Sequence, residues 1–252
     1  MKSIIVIPAR LNSSRLANKV LLDLKGKTVV QRVYEQCMKV KNIDAVYIAT
    51  DSQVVLKACQ AFTENIIMTQ DTHESGTDRI AEAVMQLDCD IVINVQGDEP
   101  FIEPQLIEEM VEALINNPTH VMCSAMHRIE QVGELKNPNV VKVTVNNNNE
   151  ALYFSRSIIP HHRDEWDALL QHHSKVPEAL NFYRHLGLYG YTKDFLLKYS
   201  NMQVSYLERL EKLEQLRVLE NGFKIKMIKT NYNSIGIDTQ SDYEKALRVL
   251  EV

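Results

Sequence analysis

The sequence has no apolar run approaching the roughly 20 residues that a membrane-spanning helix needs. The short run at its amino end, MKSIIVIPAR, is interrupted by Pro8 and is too short for the core of a signal peptide. Both absences predict a cytoplasmic protein with no membrane insertion. Basic charge is not in excess: 28 Lys and Arg stand against 33 Asp and Glu, a formal net charge of −5. A broad nucleic-acid footprint is therefore not expected, although a local basic pocket is allowed. Cysteine is sparse, and Cys37, Cys59, Cys89 and Cys123 form no CxxC pair. Buried free thiols in a reducing compartment are the reading, with no disulfide framework. A GxGxxG after the first apolar run is missing, and so is GxxxxGK[ST], which excludes the dinucleotide fingerprint and the P-loop. The pairs His161-His162 and His172-His173 carry no HExxH or tetrahedral ligand set around them, so zinc is not expected.

What is there is an ordinary globular composition, 45% hydrophobic and 24% charged over 252 residues. A chain of this length can bury roughly 70–75% of its unfolded surface without a disulfide or metal. Apolar runs at 4–7, 45–49, 66–68 and 91–95 read as buried strands. Between them, helical spacing predicts helices over 28–40 with Thr28 as cap, after Asp51 or Ser52, over 75–87, and from Pro104 to Asn116. This β-α-β-α order predicts an α/β fold: an open, mostly parallel sheet flanked by helices. After residue 120 the pattern becomes β-rich, with strands at 121–129, 140–145 and 151–154 and a turn at Asn146–Asn149. Residues 160–181 read as a long loop carrying at most a helical turn, and residues 184–191 as a strand. The stripe Leu207, Leu210, Leu213, Leu216 and Leu219 predicts one helix over 206–220. A strand over 224–229 and a closing helix capped by Ser241 complete a single domain, 1–252, with an inserted β-rich subregion.

The loop after the first strand gathers Arg10, Arg15 and Lys19 with the hydroxyls of Ser13 and Ser14. Arg offers a forked donor to paired phosphate oxygens and Lys a mobile point charge, so the set suits a triphosphate; a solvated basic loop is the plainer alternative. Ser75 is a good helix cap, with Asp78 three residues on. Asp98, just past the fourth strand, could serve a sparse Mg²⁺ site shared with phosphate oxygens, or be a solvated turn residue. Asp238 could stand simply at a helix N-terminus, where the dipole favours it.

These segments together resemble a known family. IPAR-x-x-S-x-R-L followed by Lys19, the H-x-S-G-T-D-R run at 73–79, and N-V-Q-G-D-E-P at 94–100 are similar to the acidic-sugar cytidylyltransferases. So are A-L-Y-F-S-R-x-x-I-P at 151–160, R-H-L-G-x-Y-G-Y at 184–191, L-E-Q-L-R at 213–217 and G-I-D-T at 236–239. The combination most resembles the 3-deoxy-manno-octulosonate (Kdo) cytidylyltransferases, the CMP-Kdo synthetase family. One departure is Ala17-Asn18, where the family usually has Pro-Gly.

The resemblance implies a nucleotide-diphospho-sugar-transferase-like fold and transfer of CMP from CTP to Kdo with release of pyrophosphate, serving lipopolysaccharide synthesis. It implies CTP contacts from Ala9, Arg10, Arg15, Lys19, Ser75, Gly76, Arg79 and Asp98 within residues 1–120. It implies sugar contacts from Gln96, Arg156, Arg163, His185, Tyr189, Glu214 and Gln215, mostly within 121–235, a stretch that would also form a homodimer. Asp98 and Asp238 would hold Mg²⁺ as the metal ligands and, with Arg15 and Lys19, form the catalytic set. The 8-amino analogue of Kdo and a catalytically silent nucleotide-binding role are the alternatives.

Overall fold

The computed structural model describes residues 1–11, 15–73, 75–233 and 235–251. Strand β1 (Ser3–Pro8) is followed by a 3-10 turn at Lys19–Leu21, α1 (Val29–Cys37), β2 (Ala45–Thr50), α2 (Gln53–Cys59), β3 (Ile66–Met68), α3 (Gly76–Val84), β4 (Ile91–Asn94) and α4 (Pro104–Ile115). The second half runs β5 (Met122–Arg128), α5 (Val132–Lys136), β6 (Lys142–Val145), β7 (Ala151–Ser155), α6 (Trp166–His172), β8 (Tyr183–Thr192), α7 (Lys193–Ser200), α8 (Tyr206–Glu211), α9 (Leu216–Glu220), β9 (Ile225–Thr230) and α10 (Gln240–Val249).

The described strands form one open sheet in the order β3-β2-β1-β4-β8-β5-β9, with the β6–β7 hairpin attached to β8. Strands β1 to β4 are mutually parallel, and β9 is parallel to β5. Strand β8 runs antiparallel between β4 and β5, within the mostly parallel sheet that was expected. Side chains alternate along β1: Ile5 and Ile7 pack with Val30, Val33, Leu106 and Met110, while Ile4 and Val6 pack with Ile80, Val84 and Phe195 on the other face. Two apolar layers therefore cover the sheet with helices on both sides, as near-continuous apolar strands require. Each fully buried aliphatic side chain contributes about 1.5–3 kcal/mol.

The chain leaves β1 for β2 and β3 on one side, then crosses back to β4 on the other. The crevice beyond the carboxyl ends of β1 and β4 is thus a topological switch point, where open α/β sheets bind ligands. The N-terminus of α3 reaches the same end. Ser75 caps it by accepting from the Asp78 N–H at 3.0 Å.

Three local expectations are corrected. The helix expected over 206–220 is two helices, α8 and α9, separated by Lys212 in the left-handed region (φ 53°). The buried pair Arg217–Glu208, bonded at 2.6 and 2.7 Å, folds α9 back on α8. Leu213 and Leu216 are core as expected, but Leu210 is 67% exposed because the break turns it outward. The closing helix is capped by Thr239, not Ser241, through reciprocal bonds with Asp242. Residues 160–181 contain α6, and Leu169 and Val176 pack with Ile129, Val132, Leu135 and Phe182 in a separate small core.

Candidate active site

One cleft of about 980 Å³ opens at the switch point. Arg10, Arg15 and Asp238 line one end; His185, Tyr189, Glu214 and Gln215 line the other; Ser75, Gly76 and Gln96 lie between. A smaller recess of about 240 Å³ continues from the first end past Lys19, Gly97 and Asp98.

The recess is built by backbone fit. A Cβ on Gly97 would stand 2.8 Å from the Pro8 carbonyl, so only glycine lets the turn after β4 press against the end of β1. The Ile237 N–H donates to the Asp98 carbonyl at 2.9 Å, pinning the 235–239 segment beside that turn. As a result Asp98 and Asp238, 140 positions apart in sequence, converge on one ammonium: Lys19 Nζ bonds Asp98 Oδ2 and lies 2.9 Å from Asp238 Oδ1. Arg15 Nη2 approaches Asp238 Oδ2 at 3.2 Å. Burial alone would lower the Lys19 pKa, but Asp98 and then Asp238 outweigh it and raise it, so Lys19 stays charged. Asn18, standing where the resembling family usually has glycine, takes the left-handed conformation (φ 54°). Asn is the non-glycine residue that tolerates this best, so the turn delivering Lys19 is retained. Ser13 and Ser14 lie outside the described residues.

Two carboxylates meeting at one point are hard oxygen donors. They fit magnesium, which takes one or two carboxylates and completes its shell with phosphate oxygens and water. Among the described residues no group of three or more His, Cys, Asp or Glu gathers elsewhere into a metal-binding cluster.

Residues 4–227 match the family model described as Cytidylyltransferase. A 3-deoxy-manno-octulosonate cytidylyltransferase of Geotalea uraniireducens is 46% identical over 251 residues, covering all of both chains. The one from Francisella tularensis subsp. novicida is 46% identical, covering 98% of each chain. The chain belongs to the 3-deoxy-manno-octulosonate cytidylyltransferase family. Among solved structures, a CMP:2-keto-3-deoxy-manno-octonic acid synthetase complexed with CTP superposes with a TM-score of 0.91 at 39% identity, covering 100% of this chain and 99% of that one.

Within this cytidylyltransferase, the far end of the cleft carries an ordered polar array. His185 Nε2 lies 2.8 Å from Ser124 Oγ and its Nδ1 3.3 Å from Gln215 Nε2. Tyr189 donates to Gln215 Oε1 at 3.3 Å. Burial pushes the His185 imidazole down to about 3, so it is neutral, and raises the Tyr189 phenol well above its usual value. Gln96 donates to the buried Asn94 at 3.1 Å. The break after Lys212 leaves Glu214 and Gln215 in the connection to α9, facing the cleft from a bend that the apolar stripe conceals.

Glu214 is held by Thr77, whose hydroxyl donates at 3.0 Å. Burial pushes its carboxyl up to about 7; the Thr77 bond opposes this, and Asp78 and Glu208 add to it. The unfolded value is near 4.5, so Glu214 favours the folded state fully below that pH, and this contribution is lost as pH rises through about 7. Glu214→Gln removes the loss. The melting temperature of the variant minus that of the parent is expected to be higher at pH 8 than at pH 4.5 by about 2–4 °C, the equivalent of ~1 kcal/mol for a group facing an open cleft. A difference independent of pH would mean that Glu214 titrates as an ordinary surface carboxylate.

Four expected site residues stand elsewhere. Arg79 is fully buried on α3, bonded to Asp51 at 2.5 Å and Thr69 at 2.6 Å, and is not open to a base. Arg156 does not line the cleft; it donates to the carbonyls of Glu211 (2.7 Å) and Pro138 (3.2 Å) and braces the turn at Lys212. Arg163 projects into solvent, 93% exposed, beside Asp164. Ala9 is buried, with its N–H given to the Ala49 carbonyl at 2.9 Å.

The cations that line the cleft beside His185 and Glu214 are Arg184 and Lys212. Arg184 adjoins His185 in a motif already singled out, so its position was within reach of the sequence. Buried Lys142, which donates to the carbonyls of Asn137, Val140 and Arg156 at 2.7–3.0 Å and so ties two walls together, gave no sequence signal.

Proposed function

We propose that this chain transfers CMP from CTP to the anomeric hydroxyl of 3-deoxy-manno-octulosonate. The hydroxyl oxygen bonds to the α-phosphorus, the bond from that phosphorus to the bridging oxygen breaks, and pyrophosphate leaves. The observation that carries this reading is the continuity of the cleft. A cationic end suited to a triphosphate and an end suited to an acidic, polyhydroxylated sugar, where His185, Tyr189, Glu214 and Gln215 stand with Arg184 and Lys212, share one cavity.

Arg10, Arg15 and Lys19 would grip the triphosphate, and the backbone around Ser75 and Gly76 would face the cytosine. His185, Tyr189, Glu214 and Gln215 would orient the sugar, with Arg184 and Lys212 as the cations nearest to take its carboxylate. Asp98 and Asp238 would hold magnesium, which when bound neutralises phosphate charge and eases deprotonation of the attacking hydroxyl. The remaining acceleration comes from positioning and from fixed positive charge around the phosphates.

A homodimer is supported by Leu152 on β7 and by Tyr206 and Leu210 on α8, all more than half exposed. The Ser155–Glu211 bond at 2.7 Å joins the ends of these two elements. Four buried, unpaired thiols fit a reducing cytoplasm, and no helix among the described residues is long and apolar enough to cross a membrane.

Pyrophosphate release measured with CTP, Mg²⁺ and either Kdo, its 8-amino analogue or N-acetylneuraminate tests the reading. Rapid release with Kdo is expected, from a protein sedimenting at twice the 29.0 kDa chain mass. Preference for the amino analogue would change the substrate and keep the chemistry. Release with none of the three, from folded protein that binds CTP, would leave a nucleotide-binding role. Sedimentation at the mass of one chain would remove the dimer.

A further inference from the structure

Ser124 lies on β5, fully buried, outside every motif noted in the sequence. It stands where the pairing with β8 slips: Ser124 opposes Tyr189, but Ala125 opposes Leu186. The irregularity turns two β8 carbonyls toward the Ser124 hydroxyl, that of Leu188 at 2.8 Å and that of Leu186 at 3.3 Å. The third neighbour of the hydroxyl is His185 Nε2 at 2.8 Å.

A hydroxyl has one hydrogen to give, and a carbonyl can only accept. The Ser124 hydrogen is therefore directed to the Leu188 carbonyl, and a lone pair is left for His185. The neutral imidazole must then carry its hydrogen on Nε2. Its Nδ1 is an acceptor, which makes the Gln215 group at 3.3 Å the amide NH₂, and Gln215 Oε1 in turn accepts from the Tyr189 hydroxyl. The result is a one-way chain from Tyr189 through Gln215 and His185 to Ser124 and the strand carbonyl. With the opposite tautomer every link would reverse. The Leu188 carbonyl would lose its donor, the Gln215 amide would flip, and the Tyr189 hydrogen would be released toward the cleft. The plane of the ring is held by Phe154, edge-on at 4.9 Å, and by Tyr189 at 5.4 Å, and a flipped ring would turn carbons toward Ser124 and Gln215.

We propose that Ser124 is a positioning residue for the acceptor sugar, fixing His185 as the Nε2–H tautomer so that Tyr189 presents lone pairs, and Gln215 its second amide hydrogen, to the sugar hydroxyls. This rests on the reading that the array binds the sugar. Ser124 touches no substrate; it acts through His185.

The test combines a spectroscopic and a kinetic measurement. Two-bond ¹⁵N–¹H correlation spectra of histidine-labelled protein, with His185 assigned by its absence in His185→Gln, report the tautomer without substrate. The parent is expected to show Nε2–H. Ser124→Ala is expected to mix or reverse the tautomer and to raise the KM for sugar about tenfold, with the KM for CTP little changed. Ser124→Thr, which restores the hydroxyl, is expected to restore the tautomer and most of the KM. An Nδ1–H tautomer in the parent overturns the proposal even if Ser124→Ala does not fold. So does a Ser124→Ala protein that keeps both the Nε2–H pattern and the parent KM, or one whose KM rises while the tautomer stays. If the array does not serve the sugar, Ser124→Ala changes the tautomer and leaves the KM for sugar at the parent value, whereas failure of the enzymatic reading shows as no pyrophosphate release from the parent, so the two failures are distinguishable.

Discussion

Asp98→Asn is expected to lower the rate of pyrophosphate release at saturating CTP, sugar and Mg²⁺ by at least about 100-fold, the scale seen when one electrostatic stabiliser of a transition state is removed. Asp238→Asn should do the same. The physical reason is local charge. Both carboxylates meet at Lys19 Nζ in a recess where Lys19 is only 16% and Asp98 21% exposed. Each amide variant removes one anion from a three-member cluster and leaves the other with Lys19, so no buried charge is stranded and the melting temperature should move by only a few degrees. Asp238 is the more exposed, at 44%, and also faces Arg15, so its loss releases Arg15 from this carboxylate while Lys19 keeps Asp98. A KM for CTP that falls in Asp238→Asn while the rate collapses would fit that picture. Full activity in either variant would remove that residue from the mechanism.

The fold was legible in the sequence because strands buried on both faces leave an unmistakable trace. Ile4–Ile7 is an uninterrupted apolar run and Ile91–Val95 is broken only by Asn94, and capping residues such as Thr28 and Ser75 mark where the intervening helices start. Strand direction was less legible, since β8 has the same local pattern whether it runs parallel or antiparallel to β4. The bend at Lys212 was hidden because Leu213 and Leu216 keep helical spacing while their helix breaks; what breaks it is Arg217 reaching Glu208, a pairing set by tertiary contact. At the site, Asp98, His185 and Gln96, delivered by motifs singled out in the sequence, line the cleft and its recess. Arginines did not. A sequence shows that Arg79, Arg156 and Arg163 are cations, but not whether a carboxylate, a carbonyl or water will receive them.

The link between Thr77 and Glu214 gives these placements a common sense. The α3 N-terminus, whose Ser75 and Gly76 line the cleft, is bonded through Thr77 to the connection that carries Glu214 and Gln215. Residues on two sides of the cleft are therefore tied together through α3.

Arg79 anchors α3 beside its apolar face. Its guanidinium joins α3 to Asp51 just beyond β2 and to Thr69 just beyond β3, and it is fully buried although Asp51 keeps 19% exposure. Removing one partner of a buried, hydrogen-bonded ion pair costs about 3–5 kcal/mol, because the remaining charge is left without compensation. For Arg79→Met the lower end is expected, near 3 kcal/mol, since Asp51 can recover some hydration. That should appear as a melting temperature lower by roughly 6–12 °C. Asp51→Asn combined with Arg79→Met removes the stranded charge and should regain part of the loss. Below its own melting transition the single variant should bind CTP within about threefold of the parent, because Arg79 supports the helix rather than the base. Calorimetric unfolding and CTP titration on the same preparation separate the two roles. A variant with unchanged melting temperature and CTP affinity reduced by tenfold or more would return Arg79 to the binding surface and overturn its assignment as a buried brace.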